Sequence, residues 1–400
     1  MISFGKIKKA VSIRMVQAMT KFFSLFPREK TIYFESFHGK SFNDHPRALY
    51  EHLVQQATDY RLVWGVKKGY EKIFSAYPEV EYIQRFSWEW FRTLGRAKVW
   101  IINTRTPHHF CKNNQTIYLQ TWHGTPLKKL GLDIEDVKMP GTTTEQYVAN
   151  FKRESRRWDY LVSPNAYSSE IFRRAFGYEG ELFEVGYPRN DVLVNDKENV
   201  EKVNSIKQKL NIPQDKKVIL YAPTWRDNNF YSKGNYKFDL PFSVEKLMAR
   251  LGDEVVLLVR MHYLVSDRFD FSAYQGKVVD ASTYDEMSHL LLISDLLVTD
   301  YSSSFFDYSI LERPIVFYMY DRQEYAEDIR GMYLDIDTEL PGPIVETEAD
   351  FIEALADAQL NGFEITDVSR YDIFRMKFNS TEQGTASEQI IQKILSQSHH

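Results

Sequence analysis

Short apolar runs alternate with stretches of helical period along most of this chain. Strands are expected at 31–37 (TIYFESF), 60–66, 82–83, 98–103 (KVWIIN), 116–121 (TIYLQT), 160–163 and 182–185. Helical spacing falls between them at 43–56, 87–95, 146–157 and 168–176. A second series has strands at 217–222 (KVILYA), 254–261 (EVVLLVRM), 277–280, 295–299 and 315–320, with helices at 242–251, 284–293, 305–312, 348–360 and 383–396. Between the two series, 196–215 is dense in charge and marks the expected junction. Strands alternating with helices indicate α/β layers with parallel sheets. At 400 residues the chain exceeds what one core usually organises, so two doubly wound domains are expected, 29–200 and 201–400.

A parallel sheet holds ligands in the loops that leave the carboxyl ends of its strands. Several such loops carry polar chemistry here. His123-Gly124-Thr125-Pro126 follows one strand; histidine titrates near neutrality and glycine lets a backbone approach closely. Arg189 follows a turn-forming Gly186 and Pro188, and a guanidinium matches phosphate oxygens in two-point fashion. Pro223 and Thr224 follow 217–222, and Arg260, Met261 and His262 end 254–261. Ser302, Ser303 and Ser304 start a helix that also carries Asp307; a first helical turn offers free N–H groups and a partial positive charge to a phosphate. Each has a plainer reading too: a histidine in a tight turn, a surface arginine, serines that only cap a helix. In two facing domains these loops would border one cleft suited to a nucleotide diphosphate. No GxxxxGK[ST] and no GxGxxG occurs, which excludes the ordinary P-loop and dinucleotide readings. No carboxylate cluster stands out, so a site without metal is expected, with Asp300 and Asp307 leaving a metal open.

Composition changes this picture in three places. A net charge of −5 argues against a nucleic-acid binder, which carries a basic face. The single cysteine, Cys111, excludes an internal disulfide and a cysteine-based zinc site. The segment 1–28 is expected to associate with membrane: up to Phe26 it carries Lys6, Lys8, Lys9, Arg14 and Lys21 and no acidic residue, with apolar side chains near helical spacing. The same pattern would serve a helix packed on its own domain with lysines in water.

Five motifs, in order, carry a resemblance: WHGTPLK at 122–128, GYPRND at 186–191, YAPTWR at 221–226, RMH at 260–262 and TDYSSSFFDY at 299–308. Together they resemble the CDP-glycerol glycerophosphotransferase family, the teichoic acid primases and polymerases, over roughly 31–378. The resemblance implies a GT-B-like fold, two Rossmann-like domains around a cleft, with the acceptor on the 29–200 side and the CDP donor on the 201–400 side. It implies transfer of a polyol phosphate from CDP-glycerol or CDP-ribitol to an undecaprenyl-diphosphate-linked saccharide at the cytoplasmic membrane face, with release of CMP and no cofactor. By position, His123 matches the family's general base, and His262, with Arg260 and Met261, the histidine that steadies the leaving group. Gly124, Thr125, Pro126 and Leu127 match a donor-side loop, Arg189 a diphosphate contact, and Pro223 and Thr224 a loop near the nucleotide. Ser302 and Ser303 match phosphate-binding hydroxyls, and Asp307 a donor-site acid. A GT-B glycosyltransferase using a nucleotide sugar is the competing enzyme reading, and a non-catalytic membrane assembly partner the third. Self-association is left open.

Overall fold

The computed structural model describes residues 4–137, 142–224, 230–232, 235–236, 240–261, 271–324 and 331–397. The chain forms two compact units. The first is Met1–His123, Leu130–Asp191 and Thr381–His400; the second is Gly124–Lys129 and Val192–Ser380.

The first unit opens with helix α1 (Phe4–Ser24). Its seven strands are β1 (Glu29–Glu35), β2 (Arg61–Val66), β3 (Tyr82–Gln84), β4 (Ala97–Ile102), β5 (Ile117–Gln120), β6 (Tyr160–Ser163) and β7 (Glu181–Glu184). All pair in parallel, in the order β3-β2-β1-β4-β5-β6-β7. The central strands read as apolar runs because both faces are covered: Ile32, Phe34, Val99, Ile101 and Leu119 join a core with Leu49, Leu53 and Trp64. The covering helices are α2 (Asp44–Gln55), α3 (Trp88–Arg96), α4 (Thr144–Ser155) and α5 (Ala166–Phe176). Ser87, Thr143 and Asn165 cap the last three by accepting a backbone N–H.

In the second unit, α6 (Asp191–Asn195) and α7 (Val200–Lys209) lead to β8 (Lys217–Tyr221). A short antiparallel pair follows, β9 (Phe230–Ser232) and β10 (Asn235–Tyr236). Then come α8 (Val244–Leu251), β11 (Val255–Val259), β12 (Val278–Asp280), α9 (Met287–Ile293), β13 (Leu296–Thr299), α10 (Ser304–Tyr308), β14 (Ile315–Tyr318) and β15 (Ile344–Val345). The large sheet is parallel, in the order β12-β11-β8-β13-β14-β15. Both large sheets therefore share the doubly wound order in which the first strand lies between the second and the fourth. The direction of winding reverses beside β1 and β4, and again beside β8 and β13, and a ligand crevice forms at such a reversal.

Helix α11 (Glu348–Leu360) buries Phe351 and Leu355 in the second core, and α12 (Val368–Phe378) sets Phe374 against Phe306. The charge-rich sequence of α12 had hidden it. The chain then returns to the first unit through α13 (Ala386–Gln397), whereas the sequence placed all of 201–400 together. The GYPRND segment explains the return. Glu382 accepts from Tyr187 N–H and Asn190 Nδ2, and Asp191 accepts from the N–H groups of Ala386 and Ser387. Gly186 sits at φ 87°, and a Cβ there would lie 2.6 Å from Glu382, so glycine is required on both counts. No described helix is long and apolar enough to cross a membrane.

Candidate active site

At the reversal point of the first unit, the loops after β1 and β4 meet in a buried polar network. Asn103, fully buried just past β4, donates from Nδ2 to Asp44 Oδ2 at 2.6 Å and accepts Phe37 N–H at 2.9 Å. Arg189 Nη1 donates to Asp44 Oδ1 at 2.8 Å and to the His123 carbonyl at 3.0 Å. His45, fully buried, stacks on Tyr187 at 4.3 Å and accepts the Arg189 N–H on Nδ1 at 3.4 Å. Burial pushes the Asp44 carboxyl up, but the His45 ring, the Arg189 guanidinium and the Asn103 amide outweigh it and hold the group at about 2. Burial drives His45 down to about 3 against the pull of Asp44, so its ring is neutral at ordinary pH.

His123 is held by the same network. Gln120 accepts the Trp122 N–H and donates to the Thr104 carbonyl, which shapes the turn after β5. Trp122 takes the left-handed region at φ 53°, and its ring stacks on His123 at 4.4 Å and packs on Phe176. His123 Nδ1 lies 2.8 Å from the Asn103 carbonyl. A carbonyl oxygen only accepts, so Nδ1 carries the hydrogen and Nε2 keeps its lone pair. Burial lowers the His123 pKa most, with the Asn103 carbonyl and Asp44 opposing, so the ring is neutral near pH 7. Among the described residues Nε2 has no hydrogen-bond partner. The ring lines a cavity of about 430 Å³ that His38, Arg85, Thr104, Arg105 and Glu154 also border. Backbone strain collects here: Phe37, His38 and Asp44 sit at φ 45°, 59° and 66°. Each left-handed non-glycine costs on the order of 1 kcal/mol, and such strain persists where surrounding contacts over-determine it.

The loops at the second unit's reversal point are tied differently. Asp300, buried after β13, accepts Thr224 N–H at 2.7 Å and Thr224 Oγ1–H at 2.6 Å, joining the loop after β8 to the one after β13. Ser302 Oγ accepts from Ser304 N–H and from Ser304 Oγ. Ser303 is the N-cap of α10 but makes no side-chain cap, and Asp307 is buried in that helix. The helix is one short stretch, continued by a 3-10 turn at Ser309–Leu311, where the sequence pattern predicts one helix to Glu312. Arg260 turns inward: Nη1 donates to the carbonyls of Ala281, Ser282 and Tyr284. Met261 N–H donates to Ser282 Oγ. Leu127 and Lys129 pair with Tyr333 and Gly331 through backbone hydrogen bonds, which seats the Gly124–Lys129 loop in this unit with Thr125 and Leu127 buried. Pro223 precedes Thr224 in the loop after β8.

The structure therefore brings His123 and Arg189 together in one unit, and Thr224, Ser302 and Ser303 into one loop pair of the other. His262 lies outside the described residues. Sequence reading missed Asp44, His45 and Asn103; the NDHP run at 43–46 reads as a helix start and Asn103 as a strand end. Their signal was position, since both flank β1 and β4 where the winding reverses. The chain also carries a DxD triplet, Asp335-Ile336-Asp337. Its carboxylates cap the turn at Ile336–Glu339 and pair with Arg322, and among the described residues no cluster of three or more His, Cys, Asp or Glu could hold a metal.

Two doubly wound parallel sheets, each with polar loops at its reversal point, make this an α/β enzyme of GT-B-like type. Residues 17–396 match the family described as CDP-Glycerol:Poly(glycerophosphate) glycerophosphotransferase, and the chain belongs to it. It is 50% identical over 389 residues to the teichoic acid glycerol-phosphate transferase of Staphylococcus aureus, covering 97% of this chain and 98% of that protein. It is 44% identical over 397 residues to the teichoic acid poly(glycerol phosphate) polymerase of Bacillus subtilis, covering 98% of this chain but 53% of that protein. A solved structure of the wall teichoic acid polymerase TagF, a histidine-to-asparagine variant soaked with CDPG, matches with a TM-score of 0.88 at 39% identity, covering 100% of this chain and 99% of that one. The protein is a glycerophosphotransferase.

Proposed function

We propose that this protein transfers glycerol phosphate from CDP-glycerol to a prenyl-diphosphate-linked saccharide acceptor at a membrane surface. The observation that carries this reading is the tautomer of His123: Nδ1–H is tied to the Asn103 carbonyl, and the Nε2 lone pair is unengaged beside a cavity. Nε2 takes the proton of the acceptor's primary hydroxyl. The hydroxyl oxygen bonds to the phosphorus that bears the polyol, the bond from that phosphorus to the bridging oxygen breaks, and CMP leaves. A positioned base contributes roughly 10²- to 10⁴-fold. The donor diphosphate is assigned to Thr224, Ser302 and Ser303, and leaving-group charge to His262, where one such group is worth on the order of 10²- to 10³-fold. Arg189 and Arg260 are assigned to holding loops rather than to the phosphates, because their guanidinium groups already bond Asp44 and backbone carbonyls.

Helix α1 supports the membrane part. Val16, Thr20 and Phe23 are buried against the first unit, while Val11, Met15 and Phe22 on the helix, and Leu25 and Phe26 after it, are exposed. Trp88, also exposed, meets Phe23 edge-on at 5.1 Å. Incubating the purified protein with each CDP-polyol and a prenyl-diphosphate disaccharide tests the transfer. CMP release is expected; none with either donor, together with release from UDP- or GDP-sugars, would replace this reading with glycosyl transfer. Removing 1–26 should weaken sedimentation with anionic vesicles, and unchanged sedimentation removes the anchor.

A further inference from the structure

Between β4, which ends at Ile102, and β5, which starts at Ile117, the chain is irregular. This connection supplies Thr104, Arg105, Pro107, His109 and Phe110 to the cavity beside His123. Without a ladder of its own, its backbone needs answers from neighbouring elements. Arg157, just past α4, donates to the carbonyls of Thr106, Pro107 and Phe110. Helix α1 holds the far half. Thr20 Oγ1 accepts the Cys111 N–H at 3.0 Å, and Asn113 Nδ2 donates to the Ser24 carbonyl. The Cys111 thiol lies 3.8 Å from the Gln17 carbonyl. Gln17, Thr20 and Ser24 fall at i, i+3 and i+7, so one stripe of the helix carries these contacts. Thr20 is completely buried in that stripe. Its hydroxyl hydrogen goes to the Val16 carbonyl one turn back, at 2.9 Å, and the oxygen's lone pairs face the loop.

The inner side of α1 supports a second wall as well. Phe23 meets Trp88 edge-on at 5.1 Å and presses on Gly95, where a Cβ would lie 2.5 Å from Phe23 Cβ. Trp88 and Gly95 belong to α3, and Arg85 and Phe86, just before α3, line the cavity. Phe110 stands edge-on to Phe86 at 6.1 Å and to Trp90 at 5.4 Å, which joins the two walls. The opposite face of α1 exposes Val11, Met15 and Phe22, the side assigned above to the membrane. Position and anchoring therefore use different faces of one helix.

We infer that Thr20 is a positioning residue for the transfer. Through the Cys111 N–H it fixes the 105–110 wall, and with it the approach of the attacking hydroxyl to His123 Nε2. Helix α1 is then part of the site as well as its membrane face. The inference rests on the transfer reading above. A displaced wall misdirects the hydroxyl without touching the donor, and a misplacement of about 1 Å costs up to about 10²-fold.

The test takes the membrane out of the assay, so that loss of anchoring and loss of position read differently. The full-length protein is given CDP-glycerol and a disaccharide on a prenyl diphosphate short enough to stay in solution, without vesicles. Thr20→Val keeps the shape and the burial but cannot accept the Cys111 N–H. Its kcat/KM for the acceptor is expected to fall about 10- to 100-fold, with KM for CDP-glycerol within about twofold of wild type. Thr20→Ser, which keeps the oxygen, should stay within about threefold of wild type on the same scale. Asn113→Asp keeps the Oδ1 that accepts the Gln115 N–H and loses the donor to Ser24, so its acceptor kcat/KM should fall in the same direction, by less. Sedimentation of each variant with anionic vesicles should match the wild type. The inference falls if Thr20→Val and Asn113→Asp both keep the acceptor kcat/KM, if donor KM rises as far as acceptor kcat/KM falls, or if Thr20→Ser is as impaired as Thr20→Val. It falls also if the variants lose only vesicle binding. A wild type that releases no CMP overturns the transfer reading, and the positioning role with it.

Discussion

The two units solve one problem, holding loops at a winding reversal, in opposite ways. In the first unit, side-chain charges do it: Asp44 joins Arg189 and Asn103, and these in turn carry both ends of His123. In the second, a single carboxylate, Asp300, binds a backbone N–H and a hydroxyl of Thr224, and serines bond to one another. Proton transfer needs one ring nitrogen aimed at one oxygen, so its frame has to be stiff. A diphosphate, the group proposed for the second unit, is large and accepts donors from many directions, so hydroxyls on short loops would suffice for it.

The largest effect should follow removal of His123, the base in the proposed mechanism. His123→Ala is expected to lower kcat about 10²- to 10⁴-fold while leaving CDP-glycerol affinity near wild type, measured by CMP release and calorimetric titration. Equal loss of donor affinity would place His123 in donor binding instead. Next comes the frame. Asp44→Ala removes the carboxylate that pairs with the largely buried Arg189 guanidinium, and should cost about 3–5 kcal/mol in denaturant unfolding as well as activity. Thr224→Val in the other unit should raise donor KM roughly tenfold and cost only about 1 kcal/mol of stability. If the two variants destabilise equally, the contrast between the units is lost.

A last set of effects comes from pH. His45 is neutral in the fold and titrates near 6.5 when unfolded. As pH falls below 6.5 the unfolded chain takes a proton that the folded chain refuses until about 3, so stability declines by up to about 1.4 kcal/mol per pH unit. The Asp44 contribution is full above 3.8 and is lost as pH falls through about 2, a separate and lower window. His45→Asn should reduce, without abolishing, the fall in melting temperature between about pH 6.5 and 4.5, because His38, His108, His109 and His123 also have lowered pKa values and contribute to it. In activity, the lowered His123 pKa puts the acid limb of kcat/KM below the ordinary histidine value.

Much of the architecture was legible because its signals are local. Apolar runs such as KVWIIN and KVILYA mark strands covered on both faces, and Ser87, Thr143 and Asn165 stand where helices start. The place of His123 was legible because it follows an apolar strand run, 116–121, that ends in a glycine-containing turn. Helix α12 was not, since its charged face breaks the helical pattern and its burial depends on Phe306, far away in the chain.

The chain alone settles the strand–helix alternation, the existence of two such series and the family, because each rests on residues near one another in sequence. The partnerships that prepare the chemistry belong to the fold. Asp44, Asn103 and His123 are far apart along the chain and meet because β1, β4 and β5 lie side by side, and the loop after β7 brings Arg189 to them. So, too, does the tautomer of His123: a ring nitrogen is indifferent to its sequence neighbours, and only a carbonyl delivered from another strand assigns its proton.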